Sequence, residues 1–435
     1  MELIVFGLFA AGLIACVAAD LSILYAMLLG YVLFFGYGII RKHAFKEMLS
    51  FSFSGIKTVK NILITFVFIG MITGVWRACG TIAFIVYHAS SLCAPSVMLL
   101  VTFLLCCGVS FLTGTAFGSA ATIGVICMTM ANSMGIPTLL TGGAVLSGVF
   151  FGDRCSPMST SALLVSELTN TSIFKNIVKM VKTSLIPFAV ACAVYLVLGF
   201  AADASGASAD VRGVFAQNYN LHWTAVIPAV IIIAFSLFKI NVRITLCVSS
   251  VVGFAVACLV QKMGVGDVIR VCISGFKPES TELAALMSGG GILSMVNVMC
   301  IICISSCYSG IFRGTGFLDS IQARMQGLSE RITPYGTTVI TAIVTAMIAC
   351  NQTLNIMLTH QLCESVYDSD EEMAIALENS AVVISPMIPW SIASAVPLAS
   401  VGAASASIAF ACYLYMIPIY NLAVSLIRKR KLNAR

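Results

Sequence analysis

What this chain has least of is charge. Only 10% of its 435 residues are Asp, Glu, Lys or Arg, while 59% are apolar and the mean hydropathy is +1.02. Soluble domains carry about 25% charged residues. So few polar side chains cannot coat a water-facing globule, which excludes a soluble enzyme. Histidine is scarce as well: His43, His88, His222 and His360 stand far apart and offer no metal-ligand spacing. No nucleotide loop, nucleophile elbow or zinc motif is present, so no cofactor and no catalysis are expected. The net charge of +6 is diluted over an apolar chain, which argues against a nucleic-acid partner. Cysteine is plentiful, 17 residues, but scattered through apolar runs. Even the Cys300-x-x-Cys303 pair lies in an apolar helical stretch with no second pair, so the cysteines read as small hydrophobes.

What the chain does have is apolar runs of spanning length, recurring from Leu3 to Tyr420. A hydrocarbon core of about 30 Å takes roughly 20 apolar residues per helix, which leaves room for about 10–13 spanning or half-spanning segments. The expected class is an all-α polytopic membrane protein with the lipid bilayer as its surroundings. Leu3–Ala19 and Leu21–Ile40 flank Asp20 without a basic leader or a cleavage site, and read as a helical hairpin, not a removed signal. Arg41, Lys42 and Lys46 follow that hairpin, Arg428 to Lys431 come near the C-terminus, and Lys175, Lys179 and Lys182 lie between. The positive-inside rule puts these clusters, and with them both termini, on the cytoplasmic side of the cell membrane.

Two halves echo each other in order. Ser54-Gly55-Ile56-Lys57 matches Ser274-Gly275-Phe276-Lys277; Gly74-Val75-Trp76-Arg77 matches Gly310-Ile311-Phe312-Arg313; Ser156-Pro157-Met158 matches Ser385-Pro386-Met387. Ala201 to His222, rich in Ala, Ser and Gly, reads as the connector. The expected organisation is a hairpin over 1–44, a first repeat over 45–200, connector and linking helices over 201–264, a second repeat over 265–421 and a basic tail over 422–435. Repeats broken by Gly and Pro at corresponding positions mark secondary transporters, commonly with inverted topology, discontinuous helices and re-entrant hairpins.

The breaks hold the polar residues. Phe151-Gly152-Asp153-Arg154-Cys155-Ser156-Pro157 interrupts one apolar stretch, and Ser156, Ser159, Thr160 and Ser161 supply hydroxyls to the helix after it. Backbone freed at membrane depth has to line a cavity or be covered by protein, and Asp153 there calls for a cation, a proton or a salt bridge with Arg154. The partner break carries Glu378, Asn379 and Ser380, then Ser385-Pro386-Met387-Ile388-Pro389-Trp390. Thr113 and Thr115 lie in a Gly- and Thr-rich stretch of the first half, and Asn351, Gln352 and Asn355 hold the corresponding place in the second. Such hydroxyls and amides either bind solutes through oxygen or glue helices together.

These motifs resemble the NhaC-type sodium/proton antiporter family, whose first-half signature is FGD-x-x-SP-x-S and whose second ends in SP-x-IPW. They stand here as Phe151 to Ser159 and as Glu378 to Trp390. The resemblance runs from about Lys57 onward. It implies two inverted repeats around a central site, a homodimer by analogy, and exchange of Na⁺ for H⁺ by alternating access. Asp153 and Glu378 would then be the cation-binding carboxylates, with Ser156, Ser159, Thr160, Thr113 and Thr115 completing the oxygen shell. Family members usually carry acidic residues where this chain has Thr160 and Asn379, and often where it has Asn351. The gain of amides motivates an alternative: a Na⁺- or H⁺-coupled carrier in which Asn351, Gln352, Asn355 and Trp390 bind a small organic acid or amino acid.

Overall fold

The computed structural model describes residues 2–18, 22–89, 94–202, 211–238, 240–317, 332–349 and 351–433. Asp20, the middle of the expected connector (203–210) and the side chains of Arg430 and Lys431 lie outside the described residues. Among those described, the chain is helical, with one isolated bridge between Phe276 and Gly289. In order, the helices are α1 (Glu2–Ala18), α2 (Ile23–Ile40), α3 (Phe45–Ala78), α4 (Thr81–Ala89), α5 (Met98–Thr113), α6 (Ala116–Ser119), α7 (Val125–Ser133), α8 (Thr138–Cys155), α9 (Thr160–Leu168) and α10 (Ile173–Ala201). Within the expected connector lies α11 (Val211–Asn218), and after it come α12 (Ile227–Leu237), α13 (Val242–Leu259), α14 (Val265–Ser274), α15 (Thr281–Met287) and α16 (Val296–Thr315). The chain closes with α17 (Pro334–Ala349), α18 (Gln352–Cys363), α19 (Asp370–Asn379), α20 (Ala381–Ile384), α21 (Ile392–Val401) and α22 (Cys412–Asn433).

Four helical stretches are long and apolar enough to cross a membrane: Pro95–Thr113, Ala116–Ser133, Ile173–Ala201 and Ile292–Thr315. Three further pairs pass only together and bend at a short break, and three shorter apolar helices, Leu24–Ile40, Arg243–Leu259 and Pro334–Met347, add to them. The half-spanning segments expected from the sequence are of this second kind. This is an all-α, multi-pass membrane protein.

Close approach of α5 and α8 sets the frame of the first half. A Cβ on Gly148 would fall 2.6 Å from the Phe103 carbonyl oxygen, and one on Gly152 2.1 Å from the Ser110 carbonyl carbon. Small residues four apart thus let two backbones touch, a common packing device where lipid removes the hydrophobic drive between helices. In the other part, α1, α2 and α16 meet through an aromatic cluster of Phe9, Phe34, Tyr308, Phe312 and Phe317. Trp390 joins it, ring edge against Phe9, and donates its indole N–H to the Met347 carbonyl at 3.0 Å.

Each half carries two breaks in the same order. The first ends α5 at Gly114, whose φ of +65° favours glycine, after which Thr115 caps α6 and Ala120–Gly124 forms a π-helical turn. Its counterpart ends α17 at Ala349, and Asn351 caps α18 by accepting from the Leu354 amide at 2.8 Å. The second pair of breaks is proline-driven. Pro157 disfavours helix at Ser156, which turns extended (ψ 137°), and Ser159 restarts the chain as the cap of α9. On the other side α19 stops at Ser380 (φ −125°, ψ −83°), and Pro386 opens a 3₁₀ turn before Ser391 caps α21.

Candidate functional site

The breaks converge on Asp153. It sits in the last turn of α8 and is buried. Ser161 donates to Oδ2 at 2.8 Å and Ser159 to Oδ1 at 3.3 Å. Gln352, from the second half, donates to the same Oδ2 at 3.0 Å while its amide also reaches the Val382 carbonyl at 3.1 Å. The Ala116 backbone N–H is directed at this carboxylate from the first half's other break. Every donor is neutral. Hydrogen bonds from neutral groups hold a carboxylate in place without cancelling its charge, so attraction for a small cation is left over.

The sequence left open a salt bridge between Asp153 and Arg154. No such pair forms. Successive residues near a helix end point in different directions, and Arg154 reaches the other break instead. Its Nε donates to the Glu378 carbonyl at 3.0 Å, and its Nη2 to Thr183 Oγ1 at 3.2 Å and to Asn379 Oδ1. Both Nη atoms share the Met180 carbonyl at 3.3–3.4 Å. Glu378 is fully buried, and neither carboxyl oxygen has a hydrogen-bond partner.

The other candidates fall into three groups. Asn355 donates to Ser385 Oγ at 2.8 Å and to the Ala381 carbonyl at 3.0 Å, while Thr345 and Thr359 donate to its Oδ1 at 2.6 and 3.3 Å. That buried network ties α17, α18 and α20 together. Thr113 shares a hydrogen bond with Ser119 Oγ at 2.9 Å, and both Thr113 and Thr115 line a small cleft with Thr122 and Thr245 between the first break and α12–α13. Thr160, Asn351 and Trp390 stand apart: Thr160 is exposed, Asn351 serves as a cap, and Trp390 packs in the aromatic cluster. Ser156 accepts from the Met158 amide at 3.2 Å and shapes the turn. Sequence reasoning did not single out Met180, Thr183, Tyr335 or Thr345, which have no motif around them. Tyr335 donates to the Asn379 carbonyl at 2.9 Å. Among the described residues, no group of three or more His, Cys, Asp or Glu is placed to hold a metal ion.

The chain is 26% identical to the malate-2H⁺/Na⁺-lactate antiporter of Bacillus subtilis, over 89% of this chain and 86% of that protein. It is 25% identical to the Na⁺/H⁺ antiporter NhaC of the same organism, over 86% of each. With the arginine/ornithine antiporter ArcD of Halobacterium salinarum the identity is 29%, over 76% and 70%. A model described as the Na⁺/H⁺ antiporter family matches in two overlapping stretches, residues 2–164 and 148–427, which together span both broken-helix motifs. On that match this chain belongs to the Na⁺/H⁺ antiporter family.

Proposed function

We propose that this protein is a secondary active transporter that exchanges Na⁺ for H⁺, with Asp153 as the shared site. The observation that carries this is a buried carboxylate at a helix break, held by Ser159, Ser161 and Gln352 and free of any ion pair with Arg154. A carboxylate withdrawn from water is costly to leave bare, so it takes up either a proton or a cation. The two species exclude each other there. Alternating exposure of the site then turns that exclusion into exchange, and two inverted repeats around Asp153 would supply the motion. The membrane is the cell membrane, with both termini cytoplasmic, and a homodimer is the assembly analogous to other transporters of this architecture. Membership of the family and the similarity to two antiporters whose names include Na⁺ support the choice of ions.

A Na⁺- or H⁺-coupled carrier of a small organic acid or amino acid is the second reading, favoured by relatives named for malate, lactate, arginine and ornithine. The amides speak against it, since Asn351 and Asn355 are both engaged in holding helices. Purified protein in liposomes with an internal pH-sensitive dye separates the two. Proton movement on adding Na⁺ or Li⁺, absent in Asp153→Asn, supports exchange of cations for protons. Silence toward cations, with uptake from a panel of carboxylates and amino acids, would replace it with the second reading.

A further inference from the structure

Arg77 is the penultimate residue of α3, where the chain bends by 60° into α4. It is partly buried, and its Nε is shut off from water with no hydrogen-bond partner. Among the described residues its guanidinium makes neither a hydrogen bond nor an ion pair. Tyr219 is the titratable group that acts on it, and its hydroxyl donates at 2.8 Å to the Arg77 main-chain carbonyl. A phenol carries no charge at neutral pH, and no carboxylate among the described residues stands beside this guanidinium. Arg154 differs on both counts, with acceptors on all three nitrogens and the buried Glu378 as a charge partner. The end of the α3 dipole offers Arg77 roughly half an elementary charge and no acceptor for Nε.

A loop of small residues, Ser288 to Gly291, borders the fork. Gly289 is exposed, with a φ of +119°, and a Cβ there would fall 3.5 Å from Nη1 and 3.9 Å from Cζ. Its backbone is pinned by two hydrogen bonds with Phe276, at 2.9 and 3.0 Å, and Gly291 donates to the Gly70 carbonyl at 2.7 Å. The edge of the guanidinium thus meets a fixed, exposed stretch of chain that has no side chain to cover it.

We propose that Arg77 is an oxyanion site, in which a carboxylate or phosphate group enters beside Gly289 and takes up the unpaired N–H groups. The planar fork pairs with two oxygens at once, in charge-assisted bonds stronger than those between neutral groups. A charge inside a membrane protein marks a ligand or ion path unless it is paired, and no described residue pairs this one. The oxyanion comes from a soluble carboxylate or phosphate, or from the phosphate of a lipid headgroup. This site is separate from Asp153 and does not depend on the cation-exchange reading.

The test follows melting of the purified protein in detergent at fixed Na⁺ and ionic strength, with chloride as the balancing anion. Acetate, inorganic phosphate and phosphatidylglycerol are titrated in separately, with phosphatidylcholine as the lipid control. The wild type should show a saturable rise in melting temperature with at least one of the three. Arg77→Lys keeps a charge at the helix end but not the fork, and should need about tenfold more ligand for half the rise. Arg77→Gln should show no saturable rise. Arg313→Gln, at the matched position of the other half, should respond as the wild type does. A response to acetate or inorganic phosphate assigns the site to a soluble oxyanion, and one to phosphatidylglycerol alone assigns it to a headgroup. No saturable rise in the wild type, or the same rise in either Arg77 variant, overturns the proposal. Should Arg77→Gln fail to fold, Arg77→Lys decides by the same criterion.

Discussion

Gln352 donates one side-chain amide to both Asp153 Oδ2, at 3.0 Å, and the Val382 carbonyl, at 3.1 Å. A single group in the first turn of α18 therefore connects the carboxylate at one proline break to the backbone just before the other. Any rearrangement that parts the two breaks has to release this amide. That gives the second half a direct hold on the charge carried by the first.

Gln352→Ala removes a neutral donor from a buried carboxylate and leaves the Val382 carbonyl without that bond. A hydrogen bond to a charged group contributes about 1.5–3 kcal/mol, which corresponds to a change of roughly tenfold or more. Half-saturating Na⁺ in the liposome assay should shift by that order while the protein stays folded. An unaltered cation dependence would show that the amide does not shape the site.

Asp153→Asn preserves the shape of the side chain and one acceptor oxygen for Ser161, but removes the charge. Na⁺-driven proton movement is expected to vanish, with size-exclusion behaviour and helical content unchanged. Normal exchange by this variant would remove Asp153 from the mechanism.

Ser161 and Thr160 are adjacent in sequence and unequal in structure. Ser161 donates to Asp153 Oδ2 and to its backbone carbonyl, at 2.8 and 2.9 Å, whereas Thr160 is exposed. Ser161→Ala should weaken apparent Na⁺ affinity several-fold. Thr160→Ala should leave it unchanged within twofold. Equal effects from the two variants would contradict this geometry.

Gly152→Ala tests the frame beneath the site. The added methyl would fall 2.1–2.2 Å from backbone atoms of Ser110 and Phe111, which cannot swing aside as a side chain can. Overpacking of this kind costs about 1–3 kcal/mol and occasionally more. The variant should melt well below the wild type and lose transport with it. A neutral substitution would mean that α5 and α8 are free to separate.

The two proline breaks were legible in the sequence because Pro157, Pro386 and Pro389 each lack an N–H and disfavour helix at the preceding residue, although a lone proline does not suffice, since Pro187, Pro397 and Pro418 lie inside helices. Asp153 was legible for a related reason, since a carboxylate at membrane depth demands a partner. The partner's identity was not. Thr160 looked as able as Ser161 to reach the carboxylate, and one helical step of about 100° separates a hydroxyl that faces Asp153 from one that faces outward. Asn351 and Asn355 likewise read as a pair, yet one caps α18 and the other anchors a hydroxyl network.

Class and membrane habitat follow from composition alone, because 10% charge and long apolar runs leave a helical membrane protein as the one workable solution. The direction of each side chain at the breaks is a tertiary matter. Arg154 turns from its neighbour Asp153 toward Asn379, 225 positions along the chain, because the end of α19 offers it carbonyls there. Local sequence encodes where a helix stops; only the packing of distant segments decides which groups then face one another.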